Sequence, residues 1–295
     1  MDAAAIAAVI IVFAAFVYAF VRRAPISLTI AIACLVVFAL LAVISKSYGR
    51  PELSQGYFDL VLETGGWRVR DIPAFLTTMF VHQNMLHIGF NMAALIFLGA
   101  ALEDRIGTAA FAVIFIVGGI VGNLVFYLIH YADSIFILGA SGAISAELGA
   151  YARLYPRERV SLFFPGVAMP AIPAIWLAIG FLLASSVLVY VIPGVAHEAH
   201  MGGLVAGMFM APAATRLSSK KKETVAEGID LLEPLAQTGE LRDILAKIKA
   251  EKIPDVREAW IGRFMERARC PQCGGPIMRR LGSLVSDCGW KMRLR

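Results

Sequence analysis

Charge is what this sequence has least of. Of its 295 residues only 17% are Asp, Glu, Lys or Arg, against about a quarter in ordinary soluble domains. That scarcity excludes a simple cytosolic enzyme, a disordered regulator and a protein clothed in basic residues for nucleic acid. Cysteine is also sparse, four in all, too few and too unevenly placed for a secreted disulfide framework. Histidine is nearly as scarce, at five. What abounds is apolar: 59% hydrophobic residues and a mean hydropathy of +0.72. The little charge is unevenly spread. Residues 1–216 hold 11 basic and 11 acidic side chains, whereas 217–295 hold 16 and 11, so the net +5 belongs to the last 79 residues. An apolar body therefore carries a polar, basic tail, two regions suited to different solvents.

A membrane-crossing helix needs about 20 mostly apolar residues. The body offers seven such runs: Ala3–Val21, Ile26–Ser45, Gln83–Leu102, Ile106–Ile129, Ile135–Ala152, Ala168–Ile192 and Val195–Thr215. The first is preceded only by Asp2 and followed by Arg22-Arg23, the reverse of a signal peptide's charge order, so a retained helix is expected. Arg22, Arg23, Arg105, Arg153, Arg157, Arg159, Arg216 and Lys220–Lys222 fall on one side of that arrangement. Lys46, Arg50, Arg68 and Arg70, offset by Glu52, Asp59, Glu63 and Asp71, fall on the other. The positive-inside rule then puts the N-terminus outside and the charged tail in the cytoplasm of a multi-pass cell-membrane protein. The connection over 46–81 is too long for a plain turn, and its apolar half, Ile72–Val81, reads as a partly embedded flap.

Polar groups inside a span are costly, so they face the bundle interior, a partner or water. Three non-adjacent runs carry a small polar set, all near their outer ends. The third has His87 and Asn91 four apart on one helical face, with His82 just before. The fifth contains Gly139-Ala140-Ser141-Gly142, and the seventh His197, Glu198 and His200 followed by Gly202-Gly203. Each has an ordinary structural reading: serine back-bonded to its helix, Gly203-x-x-x-Gly207 as a packing stripe, His and Asn as interhelical hydrogen bonds. Together they supply a nucleophile, a base and oxyanion donors, which acyl transfer requires.

These motifs resemble the rhomboid intramembrane serine proteases. Gly139-Ala140-Ser141-Gly142, His200-Met201-Gly202-Gly203 and His82-x4-His87-x3-Asn91 stand in the family's order, and Glu103-Asp104-Arg105-Ile106-Gly107 is similar to its E-x-R segment. The resemblance covers about residues 26–215. It implies an all-α polytopic membrane protein with a six-helix rhomboid-like catalytic core at 24–216, preceded by an extra transmembrane helix at 1–23. It implies Ser141 as nucleophile and His200 as general base, with His87 and Asn91 in the oxyanion hole. His82, Gly139, Gly142 and Gly203 would be structural residues near the site. Catalysis would need no cofactor, and the partners would be single-span membrane protein substrates within the lipid bilayer. Two family features differ. Pro73-Ala74 stand where Trp-Arg is common, with Trp67-Arg68 six residues earlier, and Ser145 occupies a position that often holds an aromatic packed on the base. Glu147 has no assigned role; water below the site and Arg153 are its candidate partners.

In the tail, Leu241, Ile244, Leu245 and Ile248 recur at helical spacing, so 217–269 reads as a cytoplasmic helical linker. Residues 270–295 resemble a zinc ribbon: Cys270-Pro-Gln-Cys273-Gly, then Cys288-Gly-Trp. A full ribbon has two C-x2-C pairs, but Val285 stands where the fourth cysteine belongs. Zinc held by Cys270, Cys273 and Cys288, with Asp287 as the nearest oxygen, is one reading; a metal-free small β domain is the other. No nucleic acid is expected, and the tail implies a cytoplasmic protein partner of unknown identity. The rivals to the protease are an inactive rhomboid-like chaperone or binding protein and a transporter. His197-Glu198-Ala199-His200 is one residue short of the zinc-protease H-E-x-x-H.

Overall fold

The computed structural model describes residues 2–44, 55–160, 163–164, 167–168, 171–191, 194–217, 229–230, 232–251, 254–280 and 283–293. Lys46, Arg50, Glu52 and Lys220–Lys222, used above to orient the chain, lie outside the described residues. The chain divides into two compact units, Met1–Ser218 and Ser219–Arg295.

The first unit is a helical membrane bundle. Its helices are α1 (Ala3–Arg22), α2 (Ile26–Ile44), α3 (Gln55–Leu60), α4 (Ala74–Thr77), α5 (Met85–Ala94), α6 (Ala100–Ile106), α7 (Thr108–Ile129), α8 (Ser141–Leu154), α9 (Ala174–Leu188) and α10 (His197–Ala214). A π-helical turn, Leu95–Gly99, joins α5 to α6 into one 22-residue span. That span, α1, α2 and α7 are each long and apolar enough to cross a membrane. The remaining expected runs form helices of 14 to 18 residues at α8, α9 and α10. The fifth run begins later than its apolarity suggests. Phe136–Ile137 forms strand β2, paired antiparallel with β1 (Leu62–Glu63), and the helix starts only at Ser141. The sixth is likewise shorter, because β3 (Arg159–Val160), β4 (Phe163–Phe164), β5 (Val167–Ala168) and β6 (Ile172–Pro173) pair as β3 with β6 and β4 with β5 ahead of α9.

The solvent of this unit is written on α1. Its buried residues are all alanines, Ala4, Ala5, Ala8 and Ala19, while Ile10, Phe13, Phe20 and Val21 are exposed. Small side chains inside and large apolar ones outside is the inverse of a water-soluble helix. It suits lipid, where close backbone approach drives packing and nothing drives Phe inward. Asp2 caps α1 by accepting from Ala5 N at 2.8 Å.

The E-D-R-I-G segment closes the third span and fastens its neighbours. Glu103 is buried, and its carboxylate accepts from Ile26 N (2.8 Å), Ser27 N (2.9 Å), Ser27 Oγ (2.7 Å) and Thr108 Oγ1 (2.9 Å). It thereby caps the start of α2, whose first N–H groups have no helical partner. Arg105 pairs with Glu158 and lies over the Tyr151 and Tyr155 rings at 5.4 and 5.8 Å.

The second unit packs α11 (Gly239–Ala250) and α12 (Pro254–Arg267) with a three-stranded antiparallel sheet of β7 (Met278–Arg280), β8 (Ser283–Val285) and β9 (Lys291–Arg293). Leu241, Ile244, Leu245 and Ile248 are all buried, as their spacing predicts. They share one core with Phe264, Ala268 and Leu284, so the helical stretch and the cysteine-bearing stretch fold around the same apolar centre.

Candidate active site

The flap, the β2–α8 turn and the N-terminal end of α10 converge on Ser141. Thr78 joins the first two: its Oγ1 donates to Ile137 O and accepts from Leu62 N, while its carbonyl accepts from Gly139 N at 2.9 Å. The flap is fastened further back by Trp67-Arg68. Arg68 bonds Asp71 (2.8 Å) and Glu63 (3.0 Å), and Trp67 sits 6.2 Å from Phe75 and 6.0 Å from Tyr127. The pair thus anchors the loop at its own spacing, with Pro73-Ala74 opening α4 instead.

Gly139 has φ +107°, a conformation that L side chains rarely adopt. A Cβ there would also lie 2.6 Å from His87 Nε2, so glycine is required twice over. The turn delivers Ser141 to the first position of α8, half-buried, where backbone N–H groups lack intrahelical acceptors and the helix dipole favours negative charge. His200, on the first turn of α10, places Nε2 2.8 Å from Ser141 Oγ. The two helices approach at contact distance because glycine lines the seam. A Cβ on Gly203 would lie 2.1 Å from Gly142 O, and one on Gly207 1.9 Å from Ala146 O.

His87 and Asn91 stand on one face of α5. His87 packs beneath Gly139 and against His82, ring centroids 5.2 Å apart, and His82 is buried. Asn91 is buried too, its Nδ2 donating to His87 O at 2.8 Å and its Oδ1 without a hydrogen-bond partner among the described residues. Ser145 does not reach the histidine: its Oγ donates back to Ser141 O at 2.7 Å. Phe181 of α9 packs on His200 instead, centroids 5.8 Å apart and tilted 36°, and His197 stands edge-on at 5.9 Å. Sequence reading missed Phe181, because one more aromatic in a uniformly apolar helix gives no signal.

At the rim by the N-terminus of α10, Glu198 meets His130 Nε2 at 3.2 Å, and Asp133 meets its Nδ1 at 2.8 Å. Burial pulls the His130 imidazole down, but hydrogen bonds to Asp133 and Glu198 outweigh it and hold it above the ordinary 6.5. Glu147 is buried, with Oε2 against Gly99 beside Phe111, and its carboxylate has no hydrogen-bond partner among the described residues.

A hydroxyl at a helix N-terminus, bonded to an imidazole and flanked by amide donors, can transfer its proton and attack a carbonyl. The sequence comparisons bear on that chemistry. Residues 66–216, just over half the chain, match the Rhomboid domain. The chain belongs to the rhomboid family. Its rhomboid segment is similar to the rhomboid protease GluP of Bacillus subtilis, 31% identical over 156 residues, covering 52% of this chain and 27% of that one. It is 28% identical over 202 residues to the rhomboid protease GlpG of Enterobacter, covering 68% and 67%. RHOMBOID-like protein 5 of Arabidopsis thaliana is 28% identical over 158 residues, covering 51% of this chain and 45% of that one. The rhomboid match thus spans about a quarter of one relative and up to two thirds of another. It includes Ser141, His200, His87 and Asn91, and ends before the tail.

In the tail, Cys270, Cys273 and Cys288 come together, their sulfur atoms within 4.8 Å of one another. Asp287 is exposed and does not belong to that group. The oxygen beside the thiols is Ser286 Oγ, 3.5 Å from Cys273 Sγ.

Proposed function

We propose that this rhomboid-family protein is an intramembrane serine endopeptidase that cuts transmembrane or membrane-proximal segments of single-span membrane proteins. The observation that carries the reading is the 2.8 Å contact between His200 Nε2 and Ser141 Oγ across the α8–α10 seam. His200 takes the Ser141 proton as Oγ bonds to the scissile carbonyl carbon, and the carbonyl π pair moves onto oxygen. That oxyanion meets the Ser141 N–H, the His87 imidazole and the Asn91 amide, whose present bond to its own helix is exchanged for the developing charge. Collapse breaks the C–N bond, and His200 returns the proton to the leaving amine. Water, activated by the same imidazole, then hydrolyses the acyl-enzyme. The polar rim of His130, Asp133 and Glu198 lies at the His200 end of α10, which supports water entry from that face. By the charge rule that face and the N-terminus are outside, and the tail is cytoplasmic. Substrates need a segment that unwinds easily, so small or helix-weakening residues belong around the cut.

The test is cleavage of a single-span reporter in proteoliposomes by wild type, Ser141→Ala and His200→Ala. Only wild type should cleave and take a fluorophosphonate label. Equal cleavage by all three, or a label retained in Ser141→Ala, refutes the dyad.

A further inference from the structure

The thiol cluster of the second unit has a fourth corner, and the spacing of the cysteines names the wrong residue for it. A two-knuckle ribbon places its fourth ligand three residues before Cys288, at Val285. The strand places another residue there. Along β8 side chains alternate between faces. Leu284 is buried in the core of the unit, Val285 is half-buried, and Ser286 is buried with its hydroxyl against the thiols.

The three sulfurs lie within 4.8 Å of one another, and two distances in the cluster come close to those of a metal site. A tetrahedral zinc with Zn–S of about 2.3 Å separates its sulfurs by about 3.8 Å, and a sulfur from an oxygen ligand by about 3.6 Å. Cys270 Sγ and Cys288 Sγ are 3.6 Å apart, and Ser286 Oγ is 3.5 Å from Cys273 Sγ. The backbone closes a tight knuckle around the first two cysteines: Gly274 N donates to Cys270 O at 2.9 Å, and Gly274 takes φ +71°. Gly275 leaves no room for more: a Cβ there would lie 3.2 Å from Cys273 Sγ and 3.6 Å from Ser286 Oγ.

We propose that the tail binds one zinc ion through Cys270, Cys273 and Cys288, with oxygen at the Ser286 corner as fourth ligand. Three thiolates in a tetrahedral arrangement select zinc among the common divalent ions. A neutral hydroxyl is the weakest member of the set, so this corner is the exchangeable one, open to a stronger donor from elsewhere. Zinc binding here folds the knuckle onto β8 and releases the thiol protons.

The experiment uses the full chain in detergent micelles under reducing conditions, stripped of metal and titrated with Co(II) and then Zn(II). Wild type should take one equivalent, with the Co(II) spectrum of three thiolates, and Cys270→Ser should lose most of it. Ser286→Cys should give a four-thiolate spectrum and tighten zinc by more than about tenfold. Val285→Cys should change neither. Wild type that takes up no metal overturns the site itself. Tightening by Val285→Cys, with none by Ser286→Cys, overturns the fourth corner while leaving the three thiols standing. X-ray absorption of wild type counts the ligands independently of any variant: four sulfurs, or fewer than three, would refute the assignment.

Discussion

Gly203→Ala should disable the protein without touching a reacting group. The added methyl would lie 2.1 Å from Gly142 O, 3.0 Å from its carbonyl carbon and 3.4 Å from its Cα. All three are backbone atoms, so no side chain can swing aside. Ordinary contact begins a little above 3 Å, and α10 must therefore move from α8 by about 1 Å. His200 and Ser141 sit on the two sides of that seam, three residues and one residue from the clash. A shift of about 1 Å in a reacting pair costs on the order of 10²-fold in rate, and overpacking itself costs about 1–3 kcal/mol of stability. The assay is reporter cleavage in proteoliposomes, with fluorophosphonate labelling and thermal unfolding measured on the same preparations. Two further glycines grade the effect. Gly202→Ala meets Val125 Cβ and Cγ2, both at 2.8 Å, a much shallower clash than the 2.1 Å backbone one, and Gly180→Ala on α9 meets nothing within 4 Å. The expected order of loss is Gly203→Ala far above Gly202→Ala, with Gly180→Ala at wild-type activity. Gly203→Ala cleaving within threefold of wild type would refute the claim that this seam sets the dyad geometry.

Four other perturbations probe the supports of the site. Phe181→Ala should lower kcat about 2- to 12-fold at unchanged KM, the worth of one aromatic contact on His200; recovery in Phe181→Tyr is expected, and an unchanged kcat in the alanine variant would count against the positioning role. Glu103→Gln replaces an oxygen that accepts a backbone N–H with a second donor, so thermal unfolding in micelles should show a loss of about 2–4 kcal/mol, and an unaltered midpoint would contradict the capping role. Glu147→Leu should raise stability by about 1–3 kcal/mol with cleavage intact, because neither carboxylate oxygen has a hydrogen-bond partner among the described residues; a destabilised or inactive variant would show that the carboxyl has a task. His130 is held above its ordinary 6.5 by Asp133 and Glu198, so its stabilising effect is full below that value and fades as pH rises through the folded one. The gap in melting temperature between wild type and His130→Gln should accordingly be widest in acid, and a gap that widens in alkali would reverse the argument.

How much of this was readable beforehand depends on how far each feature is local. Helix periodicity put His87 and Asn91 on one face, and the helix and its buried Asn91 follow. The rows of Leu and Ile in 241–248 are buried in the same way. Apolarity alone misjudged the start of the fifth run. Ile135–Leu138 is as greasy as a helix interior, yet the chain there pairs with Leu62–Glu63, and a short apolar run carries no period to tell strand from helix. Trp67-Arg68 looked displaced because spacing was counted along the chain. The helical turn at Ala74–Thr77 takes up the extra residues, and the pair still reaches Phe75, Tyr127, Glu63 and Asp71.

The two substitutions of partner follow one physical rule. Where an expected residue is missing, the need it served persists and is met from whichever element the fold brings near. The imidazole of His200 requires a flat apolar surface to hold its ring. Ser145 turns back on its own helix, and Phe181 supplies the surface from α9. The thiol cluster has a fourth direction to fill. Position 285 faces the wrong side of its strand, and the next residue, Ser286, faces the sulfurs. Neither replacement sits at a motif position, because a motif records spacing along one element and these contacts cross between elements. The second was within reach: β alternation from the buried Leu284 already puts 286 on the inner face. The first was not, since every residue of α9 near Phe181 is equally apolar, and only the packing of α9 beside α10 decides which ring meets the histidine.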